Sequence, residues 1–168
     1  MKIIETRVYK FKELTEDAQD VALQEQCEIN VDYEWWESVY EGATEIGLKI
    51  SSFDIGRAQY CNGDFIDDAE DVANAIIENH GHNCETYKDA EAFLTEYEKF
   101  QEKLDDEFLD DYEVEQDIEE LESEFLQTLL EDYRIILKNE YEYLTSEEAI
   151  RETIIANEYD FTADGKLF

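Results

Sequence analysis

The residues best suited to chemistry are two histidines and a cysteine that alternate with other residues near the middle of the chain. His80, His82 and Cys84 carry the imidazole and thiol groups that bind zinc, and Cys61 could supply a further thiol. The H-x-H-x-C spacing is not a standard zinc pattern, and histidines at a helix end also cap or solvate that end. The cluster therefore stands as a metal candidate, beside the prediction that the protein holds no cofactor.

A second pattern, close to the last residues, is similar to the start of a calcium-binding loop. Asp160, Thr162 and Asp164 alternate before Gly165, but the bidentate Glu that completes such a loop does not follow. Asp-Gly is also a strong turn signal. We therefore predict a short hairpin around Asp164 and Gly165.

Familiar catalytic motifs are missing from the sequence. It contains no G-x-x-x-x-G-K-[ST], no G-x-G-x-x-G and no G-x-S-x-G, so phosphate loops and nucleophile elbows have no support. Carboxylates are so frequent that a pair suited to glycosidase chemistry cannot be told from its neighbours. We predict a protein that binds a partner and is not an enzyme.

The segment from Asp105 to Asp132 is the most unusual in composition, because 14 of its 28 residues are acidic and none is Lys or Arg. Apolar residues recur in it at steps of three and four, which places them on one stripe of a helix. The stripe consists of Val114, Ile118, Leu121, Phe125 and Leu129. The pattern predicts a helix that packs on a core through this stripe, although the stripe could instead pair with a second copy in a homodimer.

Acidic residues repeat the same steps on both sides of the stripe. At about 100° per residue, two rows of carboxylates therefore flank it. The first acidic row is Glu113, Asp117, Glu120 and Glu124, and the second acidic row is Glu115, Glu119 and Glu122. The other residues that we predict to contact a partner are Asp105, Asp106, Asp110 and Asp111, with Trp35 and Tyr112 as aromatic anchors at the edge. On the helix predicted at 33–46, Trp36 is expected in the core and Trp35 is expected to be partly exposed.

The charge density of this helix is close to that of DNA. A helix rises about 1.5 Å per residue, so a half-acidic sequence carries one negative charge per roughly 3 Å of axis. One DNA strand carries a phosphate about every 3.4 Å. Like charges at i,i+4 cost a few tenths of a kcal/mol per pair, and a charged binding face is one reason to tolerate that cost.

The whole chain shares this acidity, with 47 acidic against 13 basic residues and a formal net charge of −34. Such a charge repels nucleic acid and anionic membranes and attracts basic surfaces. The partner that we predict is therefore a basic DNA-binding protein or nuclease complex, with no direct nucleic-acid binding and no membrane. Acidity that only provides solubility is the alternative, although it would be spread evenly over the surface.

Length and composition predict a folded chain inside a cell. The 168 residues fit one ordinary domain, and 43% hydrophobic residues distinguish the chain from a disordered acidic tail. Three cysteines do not form a secreted disulfide framework, and neither a signal peptide nor a membrane span is apparent. These observations predict a cytoplasmic location.

The order of the elements predicts an α+β fold with a small antiparallel sheet, N-terminal helices and a helical second part. We expect strands at 3–11, 48–53 and 57–61 in one sheet, with Asn62-Gly63 as a turn. Helices are expected at about 15–27, 33–46, 68–80, 87–104, 112–144 and 146–156. We divide the chain into an α+β domain at 1–86 and a helical part with a C-terminal hairpin at 87–168, although the two could form one continuous domain.

Four stretches of the chain resemble small acidic proteins encoded by bacteriophages and prophages. They are IETRVYKFKELTEDAQ, INVDYEWWES, DAEDVANAIIENHGHNCETY and ANEYDFTADGKLF. A phage origin implies, by analogy of class, a DNA-mimic inhibitor of host defence of the anti-CRISPR or antirestriction type, acting in the bacterial host cell. It does not choose among the targets.

These observations leave three hypotheses. The first is an inhibitor whose acidic rows occupy the basic DNA groove of a CRISPR effector or restriction nuclease. The second is an antitoxin-like or adaptor protein that masks a basic protein partner. The third is a zinc-stabilised module or metal-dependent enzyme built on His80, His82 and Cys84.

Overall fold

The computed structural model describes residues 5–104 and 111–168 and confirms the α+β class. The strands are β1 (Tyr9–Lys10), β2 (Leu48–Asp54), β3 (Tyr60–Phe65) and β4 (Asp160–Phe161), and a 3-10 turn covers Phe11–Glu13. The helices are α1 (Glu16–Glu25), α2 (Glu37–Glu45), α3 (Ala69–Asn79), α4 (Glu85–Leu104), α5 (Asp111–Leu144) and α6 (Glu147–Ala156). The predicted long helix is confirmed over its full length.

Contacts divide the chain into two compact units. The first unit contains Met1–Trp35 and Asn139–Phe168, and the second contains Trp36–Lys138. This grouping differs from the division after residue 86, because elements from both ends of the chain share one core. That core is formed by side chains such as Phe11, Ile154 and Phe161.

The first strand has a different partner from the one that the sequence suggested. It is much shorter than the predicted 3–11, and β1 pairs antiparallel with β4, Tyr9 opposite Phe161, rather than with the strands in mid-chain. The expectation of a single sheet is therefore wrong within the described residues. The reason is packing, since Phe161 is fully buried and its ring meets the edge of Phe11 at 6.2 Å.

Two predicted helix starts in the first unit are confirmed by their caps. The Thr15 hydroxyl accepts a hydrogen bond from the Ala18 amide at 3.4 Å. The Ser146 hydroxyl does the same for the Ala149 amide at 3.3 Å. Each cap satisfies an amide that the first helical turn leaves without a backbone partner.

The predicted hairpin near the last residues is also confirmed. The Thr162 amide donates to the carbonyl of Lys166 at 2.9 Å, and Gly165 takes a φ of +85°. The Thr162 hydroxyl donates to the Asp164 carboxylate at 2.6 Å. This local hydrogen bonding gives the alternating threonine and acid a structural role in the turn.

Gly165→Ala should destabilise the protein by about 2–3 kcal/mol, because the φ is positive and the new Cβ would collide with the carbonyl oxygen of Ala18. Gly42→Ala is the matched control. Gly42 lies inside α2, and beyond its own helix backbone and chain neighbours no atom of the described residues lies within 4 Å of the Cβ that alanine adds, so alanine should stabilise by about 0.5–1 kcal/mol. Urea denaturation of the two variants measures both effects, and a Gly165→Ala protein as stable as the parent would contradict this account.

The β2–β3 hairpin of the second unit turns at a different place from the one predicted. Leu48 pairs with Phe65, and the connection is the 55–59 loop, where the Asp54 carboxylate accepts from the Gly56 amide at 2.7 Å. Asn62-Gly63 is therefore not the turn and lies inside β3. The glycine is explained by a close approach, since a Cβ at Gly63 would collide with the carbonyl oxygen of Lys49.

Helices α2 and α3 cover the core of the second unit. The α2 helix begins at Glu37 rather than at 33, and Gly47 ends it with a φ of +83°, as predicted. In α3 four of the five predicted apolar positions are buried, Val72 and Ile76 among them, while Ile77 is partly buried, and the helix stops before His80. The core into which they pack also receives α4 and α5.

Candidate functional site

The apolar stripe of α5 packs into the second unit as predicted. Val114, Phe125 and Leu129 are buried, while Ile118 and Leu121 are partly buried. The ring of Phe125 stacks on Phe93 of α4, with centroids 4.3 Å apart and an angle of 12° between planes. These contacts orient α5 so that the stripe faces the core and the opposite side of the helix faces solvent. The stripe is therefore used within this chain.

The first acidic row lies on the exposed side. The carboxylates of Glu113, Asp117, Glu120 and Glu124 are all exposed. Within the described part of the chain, none of these four side chains forms an ion pair with Lys or Arg. The row therefore presents uncompensated negative charge to solvent.

The second acidic row is less uniform than predicted. Glu115 and Glu119 are exposed, but Glu122 is partly buried. Burial raises the pKa of the Glu122 carboxyl, and the nearby charges of Asp68 and Glu119 raise it further. Glu122 therefore belongs to the edge of the core more than to a binding face. Six exposed carboxylates remain between Glu113 and Glu124, which is one per about 3 Å of helix axis.

The remaining predicted contact residues have different outcomes. Asp105, Asp106 and Asp110 lie outside the described residues, as does the side chain of Asp111. Tyr112 is 65% exposed at the start of α5.

The expectation of a partly exposed Trp35 is wrong. Trp35 is buried in the first unit, where its ring lies 5.5 Å from that of Tyr141. Its neighbour Trp36, which we expected in the core, is the partly exposed one and meets Phe53 in the second unit. Buried Trp35 is thus unsuited to anchor a partner.

The three side chains of the metal candidate are not gathered into one cluster, although two of them contact the same hydroxyl. The Thr86 hydroxyl stands between two of them, 2.7 Å from Nδ1 of His80 and 3.2 Å from Sγ of Cys84. His82 instead meets the ring of Tyr87 at 4.6 Å. In the part of the chain that the structure describes, no three His, Cys, Asp or Glu side chains are grouped to hold a metal ion. Burial lowers the pKa of His80.

Comparisons with protein-family models, with characterised proteins and with solved structures find no match. None of the described helices combines the length and the apolar character that crossing a membrane requires.

A pair of carboxyls between α4 and α5 was not visible in the sequence. Among the described residues no group donates a hydrogen bond to the buried Oδ2 of Asp132, while the Asp132 carboxyl as a whole lies within hydrogen-bonding reach of the Asp89 carboxyl. Two carboxyls can hydrogen bond to one another only if one carries a proton. Burial, the charge of Asp89 and that hydrogen bond together raise the pKa of Asp132 to about 6. In a chain with 47 acids, no signal marks these two as partners.

This pair predicts that stability falls as pH rises toward neutral. Between the ordinary pKa of 3.8 and about 6, the unfolded Asp132 has lost its proton while the folded one keeps it. The folded state then binds more protons than the unfolded state. The stabilisation that the raised pKa of Asp132 provides is therefore complete below pH 4 and lost above pH 6. We expect Asp132→Asn to stabilise by about 1 kcal/mol near pH 8, since solvent screens part of the effect, and by less near pH 5.

Urea midpoints at the two pH values test this prediction. The control is Glu91→Gln, which removes one charge from an exposed position on α4. Equal effects of Asp132→Asn and Glu91→Gln at both pH values would show that only net charge matters and would contradict the carboxyl pair.

Proposed function

We propose that this protein inhibits a host DNA-binding defence system, a CRISPR effector or a restriction nuclease, by occupying its basic DNA groove. The observation that carries the proposal is the first acidic row, whose four exposed carboxylates form no ion pair with any Lys or Arg among the described residues. The resemblance to phage-encoded proteins supports the choice of a host-defence target. In this proposal the protein acts in the cytoplasm of the bacterial host, catalyses no reaction and binds no nucleic acid itself.

Electrostatics favour a groove that normally holds DNA. Such a groove is lined by Lys and Arg at spacings that suit phosphates about 3.4 Å apart along each strand. Between Glu113 and Glu124 the exposed carboxylates of α5 occur at one per about 3 Å of axis. A surface of this kind draws a basic partner in at a rate that falls with ionic strength. The binding should therefore weaken steeply as salt is added.

An affinity pull-down identifies the target. The tagged protein is incubated with a lysate that contains host defence complexes, at low and moderate salt, with and without competing duplex DNA. Recovery of a DNA-binding nuclease complex that salt or DNA displaces supports the proposal. Recovery of a small basic protein that duplex DNA leaves bound would overturn it and favour the antitoxin-like alternative.

A further inference from the structure

A groove runs between α4 and α5 in the second unit. It consists of two adjoining cavities of about 200 and 330 Å³. The cavities share three lining side chains, Glu96, Leu121 and Glu124, and so form one continuous depression.

The floor of the groove is apolar. Phe93 and Phe125 are buried and stacked on one another beneath it, and Leu121 is partly buried between the two cavities. Phe100 lines the far end, while Ala92 is exposed and contributes only a methyl group. This floor offers an apolar side chain a place to be removed from water.

The walls of the groove are acidic. They are formed by Asp89, Glu96, Asp117, Glu120 and Glu124. No Lys or Arg lines either cavity among the residues that the structure describes. Two lysines reach its rim from α4. The Lys99 ammonium pairs with Glu96 at 2.5 Å, and the Lys103 ammonium lies 4.5 Å from the centre of the Phe100 ring.

The combination of walls and floor selects the occupant. Carboxylates on both sides match cationic side chains, and the Phe100 ring already holds one ammonium in the cation–π manner. Binding of cationic side chains alone does not require an apolar floor. The floor therefore indicates that the occupant also has an apolar side chain between its cations. From Asp89 to Phe100 the groove is about 16 Å long, the length of about five extended residues.

We propose that the α4–α5 groove binds a Lys- and Arg-rich segment of the partner that inserts one apolar side chain between its cations. This inference rests on the proposed function, because the segment belongs to the basic partner that the acidic face attracts. It adds that recognition includes an apolar contact and is not electrostatic alone.

The test uses two fluorescein-labelled peptides and three variants of the full chain. One peptide has arginines around a single central leucine, and the other has glycine in place of the leucine. Ala92→Trp fills the floor without changing charge. Glu96→Gln with Glu124→Gln removes charge from the walls, and Glu41→Gln with Glu78→Gln removes the same charge from exposed positions on α2 and α3, outside both the groove and the acidic rows. Far-ultraviolet circular dichroism checks that each variant is folded.

We expect the parent protein to bind the leucine peptide about tenfold more tightly than the glycine peptide, because one buried leucine supplies that difference. Ala92→Trp should remove this preference, and the wall variant should weaken both peptides more than the control outside the groove does. A parent protein that binds the two peptides equally, or an Ala92→Trp protein that keeps the preference, would overturn the inference.

The same variants separate this inference from the proposed function. If Ala92→Trp keeps the leucine preference while a DNA-displaceable nuclease complex is still recovered, the groove inference fails and the proposed function stands. If the preference depends on Ala92 but no DNA-binding complex is recovered, the groove inference stands and the proposed function fails.

Discussion

Converting the four acids of the first acidic row to their amides together should weaken binding to the basic partner by about a hundredfold at low salt. Exposed charge pairs each contribute about 0.2–1 kcal/mol, so four of them sum to a few kcal/mol. The variant is Glu113→Gln, Asp117→Asn, Glu120→Gln and Glu124→Gln. Any one change alone should weaken binding only severalfold, by the same reasoning. Isothermal titration calorimetry with the recovered partner measures both.

A matched control separates position from net charge. Glu41, Glu78, Glu91 and Glu98 are exposed acids on α2, α3 and α4 of the same unit, and their change to Gln removes the same charge. This control should lose much less affinity at moderate salt, where distant charges are screened. Equal losses in the two variants would show that overall charge, rather than α5, carries the binding.

Phe125→Ala should cost about 3–5 kcal/mol of folding free energy, which is the usual cost of removing a buried phenylalanine. The ring is 5% exposed, stacks on Phe93 at 4.3 Å and lies 5.9 Å from Phe65. Its removal leaves a cavity where α4, α5 and β3 meet. The stacking of Phe125 on Phe93 also orients α5 so that the first acidic row faces solvent. Binding to the basic partner should therefore weaken together with folding stability. Urea denaturation measures the first effect.

The conservative change Phe125→Leu is the control for the previous prediction. It refills most of the space without the aromatic stacking, so it should cost clearly less than Phe125→Ala. A loss below about 1 kcal/mol for Phe125→Ala would mean that the packing of α5 on α4 does not stabilise the second unit.

The elements that depend on local sequence were predictable. The α5 helix follows from an apolar residue at every third or fourth position, and the buried state of Phe125 and Leu129 confirms it. The starts of α1 and α6 follow from Thr15 and Ser146, because a hydroxyl that caps a helix is recognisable from the chain alone.

The pairing of strands far apart in sequence was not predictable in the same way. Strands β1 and β4 have two residues each, so their composition does not specify a partner. Asn62-Gly63 has the composition of a tight turn, yet Gly63 is required by the close approach of the Lys49 backbone. The sequence therefore indicates correctly that glycine is required at this position, but it does not show that a close backbone approach, rather than a turn, requires it.

The candidate site was predicted in part. The exposure of the first acidic row follows from its position about 100° around the helix from the apolar stripe. Because the stripe faces the core, the row faces solvent. The burial of Trp35 and the partial burial of Glu122 depend on neighbours distant in sequence, Tyr141 and Asp68 among them. The Asp89–Asp132 pair and the groove also arise from contacts between helices, which one sequence does not reveal.

Competition with duplex DNA for the recovered nuclease complex tests the central claim most directly. The activity of the complex is titrated with this protein at several fixed concentrations of a duplex that carries its recognition site. If the protein occupies the DNA groove, the concentration needed for half inhibition rises in proportion to the DNA present, and the first-row variant loses inhibition. Half inhibition at a concentration independent of DNA would contradict the claim that the acidic face of α5 takes the place of DNA.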